Sequence, residues 1–508
     1  MKTLKYLLSY LLVSLTLSCS LEEDPRSFVD NESFYQNKEQ CVSAVNSCYP
    51  ALKNIYRMRM FLLTDVHTDL LNGHMASIVQ SYLDISPAQP GWASTVWTQC
   101  YQAIMYANSA LAGIEGSPLD EETKTQLMGE AAILRAYYYY VLTSSFGNVP
   151  FYTEDVGDTE TMNRVAKLPR MSAVDTRTYL INELQDYIPS LPQIRTSEVS
   201  ENRAGAAVGL MLIAKMAMWN AAQDTQAPSE TYWYDVALDA LSSLQDIYGA
   251  LSQYPLSDIR FRHKNTAESI FEVQHTYTTG GVVYCGDLAC CTMPTRTAGD
   301  DKTIYNGVKI EELGENANIW TPIRPNVYLC AGLQFEGSGD LRAKLNMAWE
   351  YNGERFTSVV TRPWMGPKFW CPYMYDSNDN NNYKLFRYAD ALLMMAECYW
   401  AKEDQANMLA CLNEVRSRAG LGDYQFVNWR KAFAEIQDER ARELVGEFQR
   451  KYDLVRWGIW YERVTELNDD AVMRENARPC HQYLPIPDKE VVYSGYALDN
   501  EEYNKYGL

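Results

Sequence analysis

The sequence predicts a mainly α-helical protein in which pairs of helices form a scaffold that carries a loop-rich region with short strands. Three observations support this fold class. Apolar residues recur at three- and four-residue spacing over many segments, which is the period of an amphipathic helix. Between about residues 255 and 383 that period fades, glycines cluster and short strand-like runs appear. The 508-residue chain is also longer than one hydrophobic core usually serves.

The clearest helix pair is predicted over residues 384–421. Its apolar positions are Leu385, Tyr388, Leu392, Met395 and Tyr399 in the first helix, and Met408, Leu412 and Val415 in the second. The second helix should end at Gly420, since glycine tolerates a positive φ at a helix terminus. Two helices of this length resemble a tetratricopeptide repeat, which buries its apolar faces only when neighbouring repeats stack on it.

Other helices are predicted on both sides of this pair. They cover residues 38–56, a segment from Trp97 onward, and residues 123–146, 176–191, 204–222, 234–248 and 429–458. The helix over 123–146 has a defined end, because Gly147 and Pro150 follow it. The predicted helical scaffold therefore comprises residues 37–254 and 384–508. The loop-rich insertion comprises residues 255–383, and loops on a rigid scaffold are where ligands usually bind.

The N-terminal residues 1–18 predict a secretory signal peptide. Lys2 and Lys5 precede an apolar run over 6–17, which is shorter than the ~20 residues needed to span a bilayer. The Leu-Ser-Cys sequence at 17–19 resembles a bacterial lipoprotein cleavage site, so we expect Cys19 to be lipidated. Residues 19–36 would then be a lipidated, acidic tether. An ordinary cleaved signal peptide is the alternative.

Charge and cysteine content narrow the possible partners. The chain has 65 acidic and 45 basic residues, a net charge of −20, which repels phosphate backbones and argues against nucleic acid as a partner. Twelve cysteines leave an odd number after Cys19, so buried free thiols are expected rather than a disulfide framework. Cys285, Cys290 and Cys291 cluster, but no paired Cys-x-x-Cys or histidine pair accompanies them. No metal and no cofactor are predicted.

Charged residues at helical spacing predict a structural network. On the 429–458 helix these are Arg440, Glu443, Glu447 and Arg450, and on the 384–421 pair they are Arg387, Asp390 and Glu397. We expect the two sets to meet in a partly buried layer of ion pairs, which would fix geometry more than it adds stability. A solvated charged face is the alternative.

Five segments in chain order resemble the SusD/RagB family of Bacteroidetes outer-membrane lipoproteins. They are Trp97…Tyr101…Ile104…Ala107-Asn108, GEAAILRAYYYYVLTSSFGNVPFY at 129–152, FRYADALLMMAECYW…LNEVRSRAGL at 386–421, DERARELVGEFQRKYDLVRWG at 438–458 and YLPIPDKEV at 483–491. The acidic residues after Cys19 also resemble the surface-export signal of such lipoproteins. One departure is Gly446-Glu447-Phe448, where the family usually has Phe-Glu-Gly.

The resemblance implies a tetratricopeptide-like protein at the cell surface, anchored by lipid to the outer membrane. It would bind an oligosaccharide and deliver it to a SusC-like TonB-dependent transporter. Peptide capture of the RagB type is one alternative, and a purely structural scaffold is another. A glycoside hydrolase is a third, although no Gly-x-Ser-x-Gly, His-Glu-x-x-His or phosphate-loop motif occurs. We therefore expect no enzymatic activity.

By position in the family, the ligand site should draw on the loops over 65–92 and 284–349. Aromatic rings suit sugars because the apolar C–H face of a pyranose stacks on a π-surface, while polar side chains bond its hydroxyls. The expected ligand-binding residues are Trp92, Tyr82, Trp320 and Tyr284 as aromatic residues, with Asp69, Arg324 and Asn326 as polar partners. A packing role is the alternative for each loop tryptophan.

Overall fold

A computed structural model describes residues 34–73, 82–277, 284–293, 304–305, 308–309, 323–333, 335–351, 354–355, 357, 363–371 and 374–508. The expected signal peptide, the expected lipidation site Cys19 and the expected ligand residue Trp320 lie outside these residues.

The fold is mainly α-helical, as the sequence predicts. The helices are α1 (Lys38–Asn46), α2 (Pro50–Ile55), α3 (Met58–Phe61), α4 (Ala93–Glu115), α5 (Glu121–Phe146), α6 (Thr159–Val165), α7 (Ala173–Tyr187), α8 (Ala206–Gln223), α9 (Tyr232–Tyr248), α10 (Ala289–Thr292), α11 (Ala343–Asn346), α12 (Tyr388–Ala401), α13 (Gln405–Arg418), α14 (Trp429–Leu444), α15 (Arg450–Arg456), α16 (Trp460–Leu467), α17 (Ala471–Asn476), α18 (Asp488–Tyr493) and α19 (Glu501–Asn504). Two π-helical turns, Leu62–Val66 and Tyr328–Gly332, complement them.

The strands are short and lie mostly in the predicted loop-rich region. They are β1 (Leu71–Asn72), β2 (Ser269–Val273), β3 (Ile304–Tyr305), β4 (Val308–Lys309), β5 (Arg324–Pro325), β6 (Met347–Ala348), β7 (Glu350–Tyr351), β8 (Glu354–Arg355), β9 (Trp364–Met365) and β10 (Tyr383–Arg387). Each belongs to a two-stranded antiparallel ladder: β1 with β5, β2 with β10, β3 with β4, β6 with β9, and β7 with β8.

Helices α4 and α5, α7 and α8, α8 and α9, and α12 and α13 pack as neighbouring pairs. Helix α5 is buried on nearly all sides from Gly129 onward, because α1, α4, α7 and α8 surround it. Two of its tyrosine hydroxyls bond inside the core: the Tyr138 hydroxyl donates to the Cys48 carbonyl and the Tyr139 hydroxyl to the Tyr152 carbonyl. Helix α5 is therefore the central helix of this group and is enclosed by its neighbours.

Helix α8 is apolar all round for the same reason. Together with the turn before it, Ser200–Gln223 is long and apolar enough to cross a membrane by composition, but 89% of its apolar window is buried inside the protein. A helix that is hydrophobic on every side can belong to a protein core as well as to a membrane. The described cysteines are all buried, as the sequence predicts.

Two predicted helix boundaries are wrong. Residues 383–387 are not the start of a helix but strand β10, which pairs with β2, so the helix begins at Tyr388. The helix over 429–458 is not continuous, because it stops at Leu444 and resumes at Arg450. Gly446 and Phe448 adopt φ of 75° and 62° in the break, and these left-handed conformations end a helix.

The break places Glu447 in a buried charge cluster around Arg387. The Arg387 guanidinium donates to both carboxylate oxygens of Glu447 at 2.8 Å, to Glu268 at 2.7 Å and to Glu443 at 3.0 Å. Arg342 and Arg418 donate to Glu443 from two further segments. Burial raises the pKa of Glu443, but the guanidiniums of Arg418, Arg387 and Arg342 together hold that pKa well below its usual range.

The other charged residues singled out in the sequence are also buried and paired. Arg440 contacts Asp390 at 2.9 Å and Asp453 at 2.8 Å, Arg450 contacts Asp69 at 2.7 Å, and Glu397 accepts from Arg456. The network is therefore wider than a layer between two helices, since it also takes in carboxylates that precede β1 and β2. A solvated face is excluded by this burial.

Removing one member of the cluster should destabilise the protein strongly. We expect Arg387→Met to lower the free energy of unfolding by about 3–5 kcal/mol, because it leaves buried carboxylates without their counter-charge. Chemical denaturation monitored by circular dichroism measures this change. The control is Arg164→Met, which removes an exposed pair with Glu154 and should cost less than about 1 kcal/mol. Equal losses in the two variants would contradict the structural role of Arg387.

Candidate functional site

Two accessible aromatic rings lie against the segment that contains α2 and α3. The indole Nε1 of Trp92 donates to the Ile55 carbonyl at 3.1 Å, and the Arg59 guanidinium lies 5.5 Å from the ring centroid. The ring of Trp92 is half-buried, and Arg59 is exposed. Two residues before Ile55, the Lys53 ammonium lies 5.9 Å from the centroid of the Tyr284 ring, which is 54% exposed.

Two amide side chains on α2 and α4 bond to each other. Asn54 donates to the Gln99 carbonyl oxygen at 2.7 Å, joining the end of α2 to the first turns of α4. Both side chains are half-buried, so part of each faces solvent. We call the whole set the aromatic strip: Trp92, Arg59, Asn54, Gln99, Lys53 and Tyr284. It combines flat apolar rings with donors and acceptors, which is the composition that carbohydrate recognition requires.

Packing of the segment over 284–293 against α3 positions Tyr284. Asp287 pairs with Arg57 at 2.7 Å and accepts from the Met58 backbone N–H at 2.7 Å. The Tyr383 hydroxyl accepts from the Asp287 backbone N–H at 2.8 Å, so β10 supports the same segment. The exposed ring therefore stands on a backbone that is fixed from two sides.

A cavity of about 510 Å³ opens beside Tyr284 and Lys53. It is lined by Asn46, Tyr49, Pro50, Leu52, Lys53, Asn54, Glu201, Asn202, Arg203, Phe271, Glu272, Val273, Gln274 and Tyr284. Small-ligand sites typically measure about 300–1,000 Å³ and combine apolar walls with a few polar groups. Burial, followed by the nearby Arg57 charge, lowers the pKa of Lys53 below its ordinary value.

Arg203 lines one part of the cavity and bonds to neighbouring side chains. Its guanidinium donates to Glu130 at 3.0 Å and to the Asn46 side chain at 2.5 Å, and it lies 5.7 Å from the Tyr49 ring centroid. The Tyr49 hydroxyl also bonds to Glu130. This part of the cavity is therefore preorganised by internal contacts, whereas the groups at its mouth are accessible to a ligand.

The structure brings some of the expected ligand residues to other places. Asp69 is fully buried, and both of its carboxylate oxygens accept from Arg450, at 2.9 and 2.7 Å. Asn326 is also fully buried and donates to the Asp69 carbonyl at 3.0 Å. A direct ligand contact does not fit this placement, because both side chains are closed off from solvent. They fix the loop region to α15 instead.

Arg324 and Tyr82 remain partly accessible. The Arg324 guanidinium stacks 3.5 Å from the centroid of the half-buried Trp364 ring, and β5 pairs Arg324 with Asn72 of β1. The Tyr82 carbonyl accepts from the Asn476 side chain at 3.0 Å, and its ring packs against the core. The pair of Arg324 and Trp364 forms a second flat surface.

Sequence reasoning missed Arg59, Lys53, Asn54 and Gln99 as possible ligand contacts. All four lie on or beside helices, where charged and amide residues ordinarily form a solvated face. Only their proximity to Trp92 and Tyr284 distinguishes them, and those residues are distant from Lys53 and Arg59 in the sequence. No motif could have found them.

The chain is similar in sequence to two protein-family models and to characterised proteins. The family model described as "SusD family" matches residues 372–503, and the one described as "Starch-binding associating with outer membrane" matches residues 21–204. The SusD-like protein P25 of Formosa agariphila is 26% identical to this chain over 559 aligned positions, covering 99% of each sequence.

Two solved structures illustrate the shared fold. Surface glycan-binding protein A from Bacteroides uniformis has a TM-score of 0.70 at 22% identity, covering 92% of this chain and 100% of that one. Surface glycan-binding protein A from Bacteroides thetaiotaomicron in complex with laminarihexaose has a TM-score of 0.69 at 20% identity, covering 91% and 98%. Likeness at this level of identity establishes the fold.

The buried, paired position of Asp69 and the exposed position of Tyr284 predict different effects of substitution on the free energy of unfolding. We expect Asp69→Asn to lower the free energy of unfolding by about 3 kcal/mol or more, because Arg450 then loses its buried counter-charge. Tyr284→Ala should change it by less than about 0.5 kcal/mol, as is usual for exposed positions. Urea denaturation of both variants measures the difference. A larger loss in Tyr284→Ala than in Asp69→Asn would reverse the two assignments.

Proposed function

Because the chain belongs to the SusD/RagB family, we propose that it is a glycan-binding protein of the cell surface that captures oligosaccharides and is not an enzyme. The observation that carries this proposal is the aromatic strip beside the 510 Å³ cavity. The family description, which associates such proteins with starch and with the outer membrane, supports the same class of ligand and location.

The chemistry of the strip suits a sugar chain. The rings of Trp92 and Tyr284 offer apolar faces on which pyranose rings stack, and such contacts contribute through both burial and ring geometry. Between them, the amides of Asn54 and Gln99 can donate to and accept from hydroxyl groups. The ammonium of Lys53 donates only, which suits hydroxyl and ring oxygens. An oligosaccharide laid along the strip would meet stacking and hydrogen-bonding groups in alternation.

Delivery to a transporter completes the proposal. Lipidation at Cys19 would anchor the protein to the outer membrane, since one acyl chain binds only reversibly and two or more hold stably. The bound oligosaccharide would then pass to a SusC-like TonB-dependent transporter. The solved relative in complex with laminarihexaose supports an oligosaccharide rather than a polymer surface as the captured form.

Glycan binding should depend on the aromatic strip. Isothermal titration with laminari- and malto-oligosaccharides should show binding that weakens about tenfold or more in Trp92→Ala and Tyr284→Ala, because each substitution removes a stacking ring worth about 1.4 kcal/mol. Tyr496→Ala, at a ring 75% exposed near the C-terminus, is the matched control and should bind normally. Unchanged affinity in both strip variants would contradict the site.

The same experiment separates the alternatives. A peptide panel that binds while all glycans fail would favour peptide capture. Chromatography of the protein incubated with each glycan tests for enzymatic activity. The appearance of shorter sugars would contradict the proposal that the protein is not an enzyme.

Membrane anchoring should require Cys19. We expect Cys19→Ser to release the protein from the membrane fraction and to abolish labelling by an alkyne-tagged fatty acid, because serine offers no thiol for lipidation. Ser20→Ala is the control and should remain membrane-bound and labelled. Labelled, membrane-bound Cys19→Ser protein would contradict the anchor.

A further inference from the structure

Lys451 differs from the other fully buried lysines of the described chain. Three buried lysines each contact a carboxylate: Lys215 contacts Asp390 at 2.5 Å, Lys368 contacts Glu447 at 2.6 Å and Lys384 contacts Glu272 at 2.7 Å. Lys451 is only 3% exposed, yet among the described residues no group accepts a hydrogen bond from its Nζ atom and no carboxylate pairs with it. Its Nζ atom lies 5.1 Å from the centroid of the Trp460 ring.

Lys451 lines a small cavity where four segments meet. The cavity is lined by Met60, Leu63, Thr64, Ser144, Ser145, Lys451, Tyr452, Gln482 and Leu484. It leaves about 10 Å³ for the centre of a water-sized particle, which corresponds to a single small molecule or ion. The cavity is too small for a sugar and lies apart from the aromatic strip.

The polar groups at the cavity need an acceptor. The Ser144 hydroxyl is 1% exposed and has no hydrogen-bond partner among the described residues. Ser145 and Tyr452 satisfy each other at 2.9 Å, and the Thr64 hydroxyl bonds to the Met60 carbonyl and to Asp65. The groups left over are therefore an ammonium, which only donates, and a hydroxyl. The half-buried Gln482 amide can add a further donor.

No negative charge among the described neighbours balances the ammonium. The titratable groups around the cavity are Cys480, His481, Tyr452 and Asp65, whose carboxylate accepts from the Thr64 hydroxyl. Burial raises the pKa of Cys480 to about 11 and that of Tyr452 well above its ordinary range, so both stay neutral at physiological pH. Burial also raises the pKa of Asp65, to about 7. Burial and the Lys451 charge lower the pKa of His481 to about 4, so it is neutral too.

We propose that this cavity binds one small monovalent anion of the chloride class, held by the Lys451 ammonium, the Ser144 hydroxyl and the Gln482 amide. A buried ammonium without a counter-charge is costly, and an anion at its head removes that cost. The ion would connect α15 to the end of α5 and to the segment over 480–484. It would act as a structural ion that stabilises the junction of these segments.

Bromide provides a direct test, because it substitutes for chloride and scatters anomalously. Crystals of the protein grown or soaked in sodium bromide should show an anomalous peak within hydrogen-bonding distance of Lys451 Nζ and Ser144 Oγ. A water molecule at that position without an anomalous peak would overturn the proposal. Lys451→Met, which keeps an unbranched side chain but removes the ammonium, should lose the peak.

Stability in solution gives an independent measurement. The melting temperature of the protein should rise when sodium chloride replaces sodium gluconate at equal ionic strength, because an ion that binds only the folded state stabilises it. The rise should vanish in Lys451→Met and persist in Lys505→Met, which replaces an exposed lysine. An equal rise in Lys451→Met would overturn the proposal. If Lys451→Met fails to fold, Ser144→Ala should reduce both the rise and the bromide peak.

The effect should also depend on pH in a defined direction. Burial lowers the pKa of Lys451 to about 7, so the free folded protein loses the ammonium charge as pH rises through that value. The anion pairs only with the charged form. The chloride-dependent rise should therefore be larger at pH 6 than at pH 9, and an equal or larger rise at pH 9 would contradict an ion held by Lys451.

Discussion

The buried interaction of Arg387 with Glu443 and Glu447 is the constraint on which the other elements depend. Arg387 ends strand β10 directly before α12, Glu443 lies in the last turn of α14, and Glu447 lies in the break that separates α14 from α15. Arg387 donates to both glutamates and so connects β10 to the end of α14 and to the break. Arg387 also forms a salt bridge with Glu268, which precedes β2. One set of charges thus holds the helix pair, the two-stranded ladder and the helix break in register.

This frame also fixes the surface that we propose for glycan binding. Strand β10 supplies the Tyr383 hydroxyl that supports Asp287, and Asp287 in turn holds the segment that presents Tyr284. On the other side, α4 supplies Gln99 to Asn54, and the residue before α4 is Trp92. The accessible rings are therefore carried by elements with extensive internal contacts. A preorganised surface of this kind loses little freedom when a ligand binds.

Much of the scaffold could be predicted because its helices have periodic apolar faces and clear ends. Gly147 ends α5 and Gly420 follows α13, as their positions in the sequence indicate. The errors fall where tertiary contacts override a local pattern. Residues 383–387 have a helix-like period, but pairing with β2 makes them a strand. Asp69 resembles a polar loop residue, yet its distant partner Arg450 draws it into the core.

The resemblance to a family, the helical scaffold and the charged residues that meet inside it could be recognised in the sequence, because they depend on periodicity, helix ends and motifs that are local in the chain. Only the tertiary structure decided which polar residues are accessible. Burial is a property of the whole packed molecule, so Asp69 and Asn326 could not be distinguished from surface residues, nor Lys53 and Asn54 from an ordinary helix face. The tertiary structure also shows that Lys451 is buried without a carboxylate partner, whereas Lys215 has one. The sequence could not show this contrast, because it depends on neighbours from four separate segments.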